Sequence, residues 1–321
     1  EMIEHEVRKE KFDIVYHYYL CEDSGEKFED ERLMQLNLNQ VYNQFRKMHN
    51  LPFPEEIISL REQYGLSASK MSEVLGFGIN VYRSYENGEI PSSSNARLIQ
   101  LAGDPKEFKR LVDLSNDLSD KERERVMIRI EDLLLEKEFN NFDVQKYLMG
   151  KRLADEETGY RIPNLEKFTE MVVFFTQELQ PYKTRLNKLL FYADFSHFKN
   201  YGISISGCRY RAIDKGPVPF NYGSLFEFAA NNDFVDILQS EETDGRMREK
   251  FVTHGNRLFN EKLFAKEEIE TIQRVSKKFA KTYSKDIIEL SHEEDGWKEN
   301  FRDGKKIISY IDAFKLKNMP V

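Results

Sequence analysis

The chain contains 321 residues, 40% of them hydrophobic and 32% charged, and its formal net charge is -8. This length allows two or more domains with separate cores, and no apolar run reaches the roughly 20 residues that a membrane span needs. The sequence has only two cysteines, Cys21 and Cys208, and no basic-then-apolar signal pattern at its start. A disulfide framework is therefore disfavoured, and a cytoplasmic location is expected.

The excess of acidic over basic residues restricts how the chain can bind nucleic acid. Residues 1–102 carry 11 basic and 17 acidic side chains, so this part is also net negative, at -6. General affinity for nucleic acid comes from clustered lysines and arginines that neutralise phosphates. Any DNA binding must therefore rely on a local basic patch, on base-specific contacts and on two copies of the helix that contacts the bases.

The first residues predict a small hairpin. Polar residues alternate with β-branched or aromatic ones over residues 4–20, and the stretch from Cys21 to Gly25 is a turn signal. A strand, a turn and a second strand with one cysteine form the outline of half a zinc ribbon. A structural zinc site needs four ligands, usually with a Cys-x-x-Cys knuckle, and Ser24 occupies the position of the second cysteine. We therefore predict a hairpin without metal.

Residues 30–49 have apolar side chains at the spacing of an amphipathic helix. Two interpretations stay open. The helix packs on its own hairpin, or it dimerises and spaces two DNA-reading elements. Pro52 and Pro54 end this segment.

Residues 54–101 predict a compact helical bundle that contains a helix-turn-helix. The first helix covers residues 54–64, and Ser67 is a natural N-cap for the second. In the third helix, Asn80, Arg83 and Ser84 share a polar face, whereas two tyrosines share the opposite face. Asn and Arg bond bidentately to base edges in the major groove, and the aromatic rings anchor the helix to its core. The pattern therefore predicts a recognition helix that begins at Gly78 after a three-residue turn and ends at an Asn-Gly pair.

The stretch LREQYGLSASKMSEVLGFGINVYRSYENG resembles the Xre/Cro-type helix-turn-helix and, more narrowly, the MqsA antitoxins, over residues 12–101. The resemblance implies that Asn80 reads bases. This chain departs from the family pattern at Ser84, where an Arg is usual, and in its zinc-binding cysteines, of which only Cys21 is present. The predicted DNA-contacting residues are Ser67, Lys70, Ile79, Asn80, Arg83 and Ser84.

Charge-rich helical patterns fill residues 104–153, and DEETGYRIP at residues 155–163 is the best boundary signal. Beyond it, helical patterns over residues 165–179 and 184–201 precede a strand, GCRYRAID, a Gly-Pro-Val-Pro turn and more helices. We predict a mainly α fold with small β elements, the last part being α+β. The predicted parts are a hairpin with a helix (1–50), a five-helix Xre/Cro-type bundle (51–114), a helical connector (115–160) and a C-terminal domain (161–321).

The C-terminal part resembles the SocA-like antitoxin domain, also called Panacea, over residues 165–314. The resemblance rests on KLLFYADFSHF, GCRYRAIDKGPVP and IIELSHEEDGW. It implies a module that binds a toxin, or hands it to a protease, without catalysis. Aromatic and Arg side chains are the usual interface anchors. We expect the toxin to contact the surface near GPVP, at Tyr210, Arg211, Lys215, Pro217, Phe220, Asn221 and Tyr222.

A catalytic interpretation is also open. Asp194 and His197 lie on one helical face, and His292, Asp214 and His254 are available to complete a metal site. An Asp and a His three residues apart on an aromatic-rich helix are more often a hydrogen-bonded pair that fixes the fold. We therefore predict no catalytic residues, no metal and no cofactor, and interpret Cys208 as a small buried hydrophobic residue.

These observations together predict the antitoxin of a type II toxin–antitoxin system. Its C-terminal domain would neutralise a toxin encoded beside it, and its helix-turn-helix would repress its own operon as a homodimer on a palindromic operator. The first alternative is a phage or cellular transcriptional regulator whose C-terminal domain senses a ligand or protein. The second is a metal-dependent enzyme.

Overall fold

The computed structural model describes residues 1–139, 144–241, 247–304 and 306–318, with no side chains described for residues 136–139. It is mainly helical with small antiparallel sheets, which confirms the predicted fold class. The helices are α1 Glu31–His49, α2 Pro54–Gln63, α3 Ala68–Val74, α4 Val81–Glu86, α5 Ser93–Leu101, α6 Pro105–Leu114, α7 Asp120–Phe139, α8 Val144–Met149, α9 Leu165–Leu179, α10 Lys183–Tyr201, α11 Tyr222–Asn231, α12 Lys266–Phe279, α13 Ser284–Glu293 and α14 Asp295–Arg302.

The strands form four small sheets in the described part of the chain. Their bounds are β1 Met2–Val7, β2 Glu10–Val15, β3 Tyr19–Leu20, β4 Lys27–Phe28, β5 Tyr210–Ile213, β6 Gly216–Pro219, β7 Val235–Glu241, β8 Met247–Thr253 and β9 Ile307–Ile308. β1 pairs with β2, β3 with β4 and β7 with β8, while β5 lies between β6 and β9. Two short 3-10 helices cover Glu261–Leu263 and Tyr310–Lys315.

The contacts divide the chain into two compact units. The large unit comprises Glu1–Ile3, Val15–Asn39 and Val144–Val321, and the small unit comprises Glu4–Ile14 and Gln40–Asp143. The large unit is therefore built from three separate stretches of sequence. The predicted four-part division remains a prediction.

The core of the small unit joins helices α2 to α7. The ring of Tyr64 stacks on Phe108 with centroids 3.8 Å apart, and its hydroxyl donates to the Ala102 carbonyl at 2.8 Å. Val126 and Ile130 of α7 are buried in the same cluster. The first part of the predicted connector is thus packed against the bundle, because its apolar stripe covers the bundle's aromatic core.

Helix α10 is the centre of the large unit. Nearly every side chain from Leu186 to Phe198 is buried, which is the pattern of a helix surrounded on all sides. Helices α9, α12 and α13 and strand β6 contact it. The aromatic ring of Phe195 packs between Phe191, Tyr210 and Tyr310, with centroid distances of 4.3 to 5.7 Å.

The Gly-Pro-Val-Pro stretch was expected to be a turn, and this prediction is wrong. Residues Gly216–Pro219 form strand β6, which pairs antiparallel with β5, while Asp214 and Lys215 make the turn. Proline is tolerated in β6 because it is an edge strand of the three-stranded sheet, where an N–H directed away from the neighbour is not needed.

Residues 15–39 belong to the large unit. Leu36 is buried, and its Cδ1 lies 3.7 Å from the position that a Cβ would take on Gly202. The Asn37 side chain pairs with both backbone groups of His17, accepting from its N–H at 2.9 Å and donating to its carbonyl at 2.8 Å. The His17 ring lies 4.8 Å from that of Phe314. This N-terminal segment therefore completes the core formed by C-terminal residues.

Among the helices of the described residues, none is both long enough and apolar enough to cross a membrane.

Candidate functional site

The two helices predicted to read DNA are α3 and α4. Ser67 caps α3 as expected, because its Oγ accepts a hydrogen bond from the Lys70 N–H at 3.3 Å. Helix α4 begins at Val81, three residues later than the sequence pattern suggested, and Asn80 is its N-cap residue. The helix ends at Asn87, and Gly88 follows with a φ of 101°. The turn between α3 and α4 is therefore longer than the three residues expected.

Tyrosines anchor α4 to the small unit, as the sequence predicted. Tyr82 is fully buried, and its hydroxyl donates to the Ile57 carbonyl at 2.7 Å. Its backbone N–H donates to the Ser72 Oγ at 2.9 Å, which joins α4 to α3. The Tyr85 hydroxyl accepts from Asn95 at 2.9 Å. These contacts fix the rotation of α4 about its own axis.

The opposite side of α4 is free to meet a ligand. Asn80 and Arg83 are exposed, and their side chains have no hydrogen bond or ion pair among the described residues. Ile79 is 65% exposed and lies directly before them. Ser84 is half-buried, and its hydroxyl donates to the Val81 carbonyl at 3.0 Å within the helix. The free hydrogen-bonding groups of this surface therefore belong to Asn80 and Arg83.

Lys70 differs from these two residues because its ammonium group already has partners within the protein. Its Nζ donates to the Asp117 carbonyl at 2.9 Å and lies 2.9 Å from a carboxylate oxygen of Glu73. The hydrogen bond with Glu73 raises the pKa of Lys70. A phosphate contact by Lys70 would have to compete with these internal partners.

Two arginines fasten the chain just after α4. Arg46 is buried, and its guanidinium donates to the Gly88 carbonyl; burial lowers the pKa of this group to about 10. Arg8 donates to the Ile90 carbonyl at 2.9 Å, and its guanidinium lies over the Phe45 ring. The hairpin β1–β2 and the C-terminal half of α1 thereby hold the end of α4 in place.

The residues expected to contact a toxin do not all lie on the surface. Tyr210 is fully buried, and its hydroxyl donates to Asp194 at 2.8 Å. Pro217 is also buried, and its carbonyl accepts from Lys188 at 2.9 Å. The expectation of an exposed contact is wrong for these two residues, because they lie on the face of the β5–β6 hairpin that packs on α10.

The remaining members of the expected contact set are accessible. Phe220 is 41% exposed, Lys215 is exposed, and Arg211 lies over the Phe220 ring with its guanidinium carbon 4.4 Å from the centroid. Asn221 is half-buried, and its amide donates to the Leu148 carbonyl at 3.1 Å. Tyr222 is half-buried near Lys183. The accessible set is Arg211, Lys215, Phe220, Asn221 and Tyr222.

Asp194 organises the interior behind this hairpin. Its carboxylate accepts from the backbone N–H groups of Ile205 and Ser206 at 2.9 and 2.8 Å, from the Ser206 hydroxyl at 2.6 Å and from the Tyr210 hydroxyl. Complete burial raises the pKa of Asp194, while these hydrogen bonds favour the charged form. All four donors belong to the fold, so this carboxylate has a structural role.

The catalytic interpretation depends on groups that the structure keeps apart. His197 is buried, and its Nδ1 lies 3.2 Å from the Thr271 hydroxyl, so it does not form the expected pair with Asp194. Burial lowers the pKa of His197 well below its usual value. His254 contacts Asp236 on the β7–β8 hairpin, and His292 stacks on Trp297. Among the described residues, no group of three or more His, Cys, Asp or Glu side chains could hold a metal ion.

Cys208 is buried, as expected, and burial raises the pKa of its thiol well above the usual value. A nucleophilic cysteine needs the opposite shift. Cys208 therefore packs as a small hydrophobic residue.

Lys188 is a polar residue whose role the sequence did not reveal. It is fully buried in the KLLFYAD stretch, and burial lowers its pKa to about 7. Its Nζ donates to the Pro217 carbonyl, and a Cβ on Gly216 would approach its Cε to 2.6 Å. The glycine is therefore required for Lys188 to reach β6. The only sequence signal for this role was that a lysine stands within an otherwise apolar helical run.

Comparison with known proteins finds a similarity for part of the large unit. Residues 186–298 match the family model described as antitoxin SocA-like, Panacea domain. The match runs from near the start of α10 into α14 and supports an antitoxin-type C-terminal domain. No curated protein and no solved structure matches the chain. The Xre-type and MqsA-like assignment of the N-terminal part remains a prediction.

The role of Glu294 was also missed by sequence reasoning. Glu294 is buried and accepts from the Tyr192 hydroxyl at 3.1 Å and from the Lys317 backbone N–H at 2.7 Å, which fastens the C-terminal segment. This role has no local sequence signal, because it depends on residues distant in the chain.

Proposed function

We propose that this chain is the antitoxin of a type II toxin–antitoxin system, and that residues 161–321 bind and neutralise a toxin encoded by the adjacent gene. The observation that carries the proposal is the match of residues 186–298 to the SocA-like Panacea antitoxins. The matched stretch contains the β5–β6 hairpin and its accessible residues Arg211 and Phe220. Exposed aromatic and Arg side chains are frequent energetic anchors of protein interfaces.

The domain acts by binding, without catalysis. This part of the proposal is supported by the commitment of its buried ionisable groups to the fold. Asp194 accepts four internal hydrogen bonds, Glu294 holds the C-terminal segment, and His197 faces Thr271 in the interior. None of these three groups is accessible to a substrate, since each is buried.

The small unit represses the operon that encodes the pair. Support comes from the exposed Asn80 and Arg83 on α4, whose side chains are free among the described residues and match the residue types that read bases. Because residues 1–102 are net negative, we propose a homodimer that offers two copies of α4 to half-sites about one helical turn apart. Both activities would take place in the cytoplasm.

Co-expression with the product of the adjacent gene tests the neutralising role. That product alone should stop growth of a bacterial host, the full chain should restore growth, and a chain ending at Pro163 should not. A harmless neighbouring product would contradict the proposal and favour a transcriptional regulator with a sensing C-terminal domain. Rescue by the shortened chain would show that neutralisation does not require the C-terminal domain.

A further inference from the structure

The C-terminal end of helix α8 lies beside the segment that follows β6 in the large unit. The Asn221 amide donates to the backbone carbonyls of Leu148 and Tyr147, at 3.1 and 3.4 Å. The Phe220 N–H donates to the Arg209 carbonyl at 2.8 Å. The Arg209 Nη1 would in turn lie 3.4 Å from a Cβ on Gly150, just after α8. The segment before the family match is therefore attached to the hairpin within it.

Two aromatic side chains near this junction are exposed. Tyr147 is 63% exposed on α8, and Phe220 is 41% exposed at the end of β6. The guanidinium of Arg211 covers the Phe220 ring at 4.4 Å. We refer to Tyr147, Arg211 and Phe220 as the anchor patch. Its composition is that of an interface centre, where Tyr and Arg contribute most of the binding energy.

The charge of the anchor patch is not neutralised within the described part of the chain. The Arg211 guanidinium has no ion pair there, and its Nε is buried without a hydrogen-bond acceptor. The neighbouring Arg209 is different, because it pairs with Asp155 and Glu157, each at 3.2 Å. A half-buried cation without an acceptor is unfavourable unless a partner supplies one. A carboxylate is the best match for the two Nη groups, since it accepts two parallel hydrogen bonds from a guanidinium.

We propose that the toxin docks on the anchor patch and places a carboxylate against the Arg211 guanidinium, with apolar side chains on Phe220 and Tyr147. This inference rests on the proposed antitoxin function and adds two things to it. It assigns a contact to α8, outside residues 186–298, and it assigns an acidic docking residue to the toxin. A net charge of -8 makes general attraction to an acidic partner weak, so the contact must be local.

Calorimetric titration with the purified product of the adjacent gene tests the anchor patch. Arg211→Glu is expected to weaken binding by at least roughly 30-fold, because it places like charges together. Tyr147→Ala is expected to weaken binding about 10-fold or more; this side chain is largely exposed, so the variant should fold normally. The matched control is Lys278→Glu, an equal charge change at an exposed residue of α12. Thermal unfolding of each variant verifies its fold.

The outcomes separate the two proposals. No binding by the unchanged chain would overturn the antitoxin function and the anchor patch together. Tight binding that survives both Arg211→Glu and Tyr147→Ala would overturn the anchor patch alone. A loss with Arg211→Glu equal to that with Lys278→Glu would mean general electrostatics instead of docking. If the chain bound nucleic acid through this patch, Arg211→Glu would lower its affinity for an oligonucleotide while leaving the affinity for the protein unchanged.

Discussion

The polar side chains of this protein fall into two groups that differ in burial. Asp194, Glu294 and His197 are buried and have internal partners. Asn80 and Arg83 are exposed and have none among the described residues. Residue type alone made Asp194 and His197 catalytic candidates, whereas the contacts assign all three side chains to the fold. We therefore propose binding roles for side chains whose hydrogen-bonding groups are still available.

Replacing Asn80, the N-cap residue of α4, together with Arg83 tests the proposed DNA-binding role. Each bidentate base contact contributes about 1–3 kcal/mol, so Asn80→Ala combined with Arg83→Ala should weaken operator binding by at least about 30-fold. Gel shifts with the DNA upstream of the gene measure this effect. Arg110→Ala, at an exposed residue of α6, is the control and should leave affinity unchanged. Unchanged operator affinity in the double variant would contradict the assignment.

Lys188 predicts a specific dependence of stability on pH. Its pKa is about 7 in the folded chain and 10.5 when unperturbed, so between these values the unfolded chain holds more protons. The contribution of this residue to the free energy of unfolding therefore rises as the pH increases from about 7 to about 10, by up to about 1.4 kcal/mol per pH unit. This contribution is lowest below pH 7. Nearby Lys215 disfavours the charged form in the same direction.

The comparison of wild type with Lys188→Met isolates this contribution. Urea unfolding at pH 7 and at pH 9.5 gives the difference in free energy of unfolding between the two proteins. The wild type should gain free energy of unfolding relative to Lys188→Met as the pH rises. A difference independent of pH would mean that Lys188 does not change its charge in this range.

Several helices were predictable, because they bear an apolar stripe and have a cap or breaker at one end. Ser67 caps α3 as expected, and the Asn-Gly pair ends α4. The GPVP strand was not predictable, because two prolines normally indicate a turn, and only pairing with β5 at a sheet edge accommodates them. The burial of Tyr210 and Pro217 was missed for the same reason: strand alternation places both on the inner face.

Helix α1 provides a test of the large unit's N-terminal segment. Leu36 is 2% exposed, whereas Met34 two residues earlier is 49% exposed. Leu36→Ala should lower the free energy of unfolding of the large unit by about 2–5 kcal/mol, because it removes buried methyl groups and leaves a cavity. Met34→Ala in the same helix should change it by no more than about 0.5 kcal/mol. Denaturant unfolding checks both, and equal small effects would show that residues 15–39 do not contribute to this core.

The sequence did not reveal how separate stretches of the chain combine into the two units. The small unit interrupts the large one, since the chain leaves the large unit after Asn39 and returns to it at Val144. Pairs such as His17 and Phe314 are almost 300 residues apart, and no local pattern encodes such a contact. Family resemblance predicted a toxin-binding role for the C-terminal part, and only the fold shows that α8 lies beside the segment that follows β6.

We propose that one chain carries two separable activities, toxin neutralisation and operator binding. Growth rescue from the adjacent gene's product, with both proteins expressed from unrelated promoters, tests this separation when combined with gel shifts on the same variants. The Asn80→Ala, Arg83→Ala double variant should still rescue growth but lose operator binding, and Arg211→Glu should lose growth rescue but keep operator binding. Failure of the double variant to rescue growth, or rescue by Arg211→Glu equal to wild type, would contradict it.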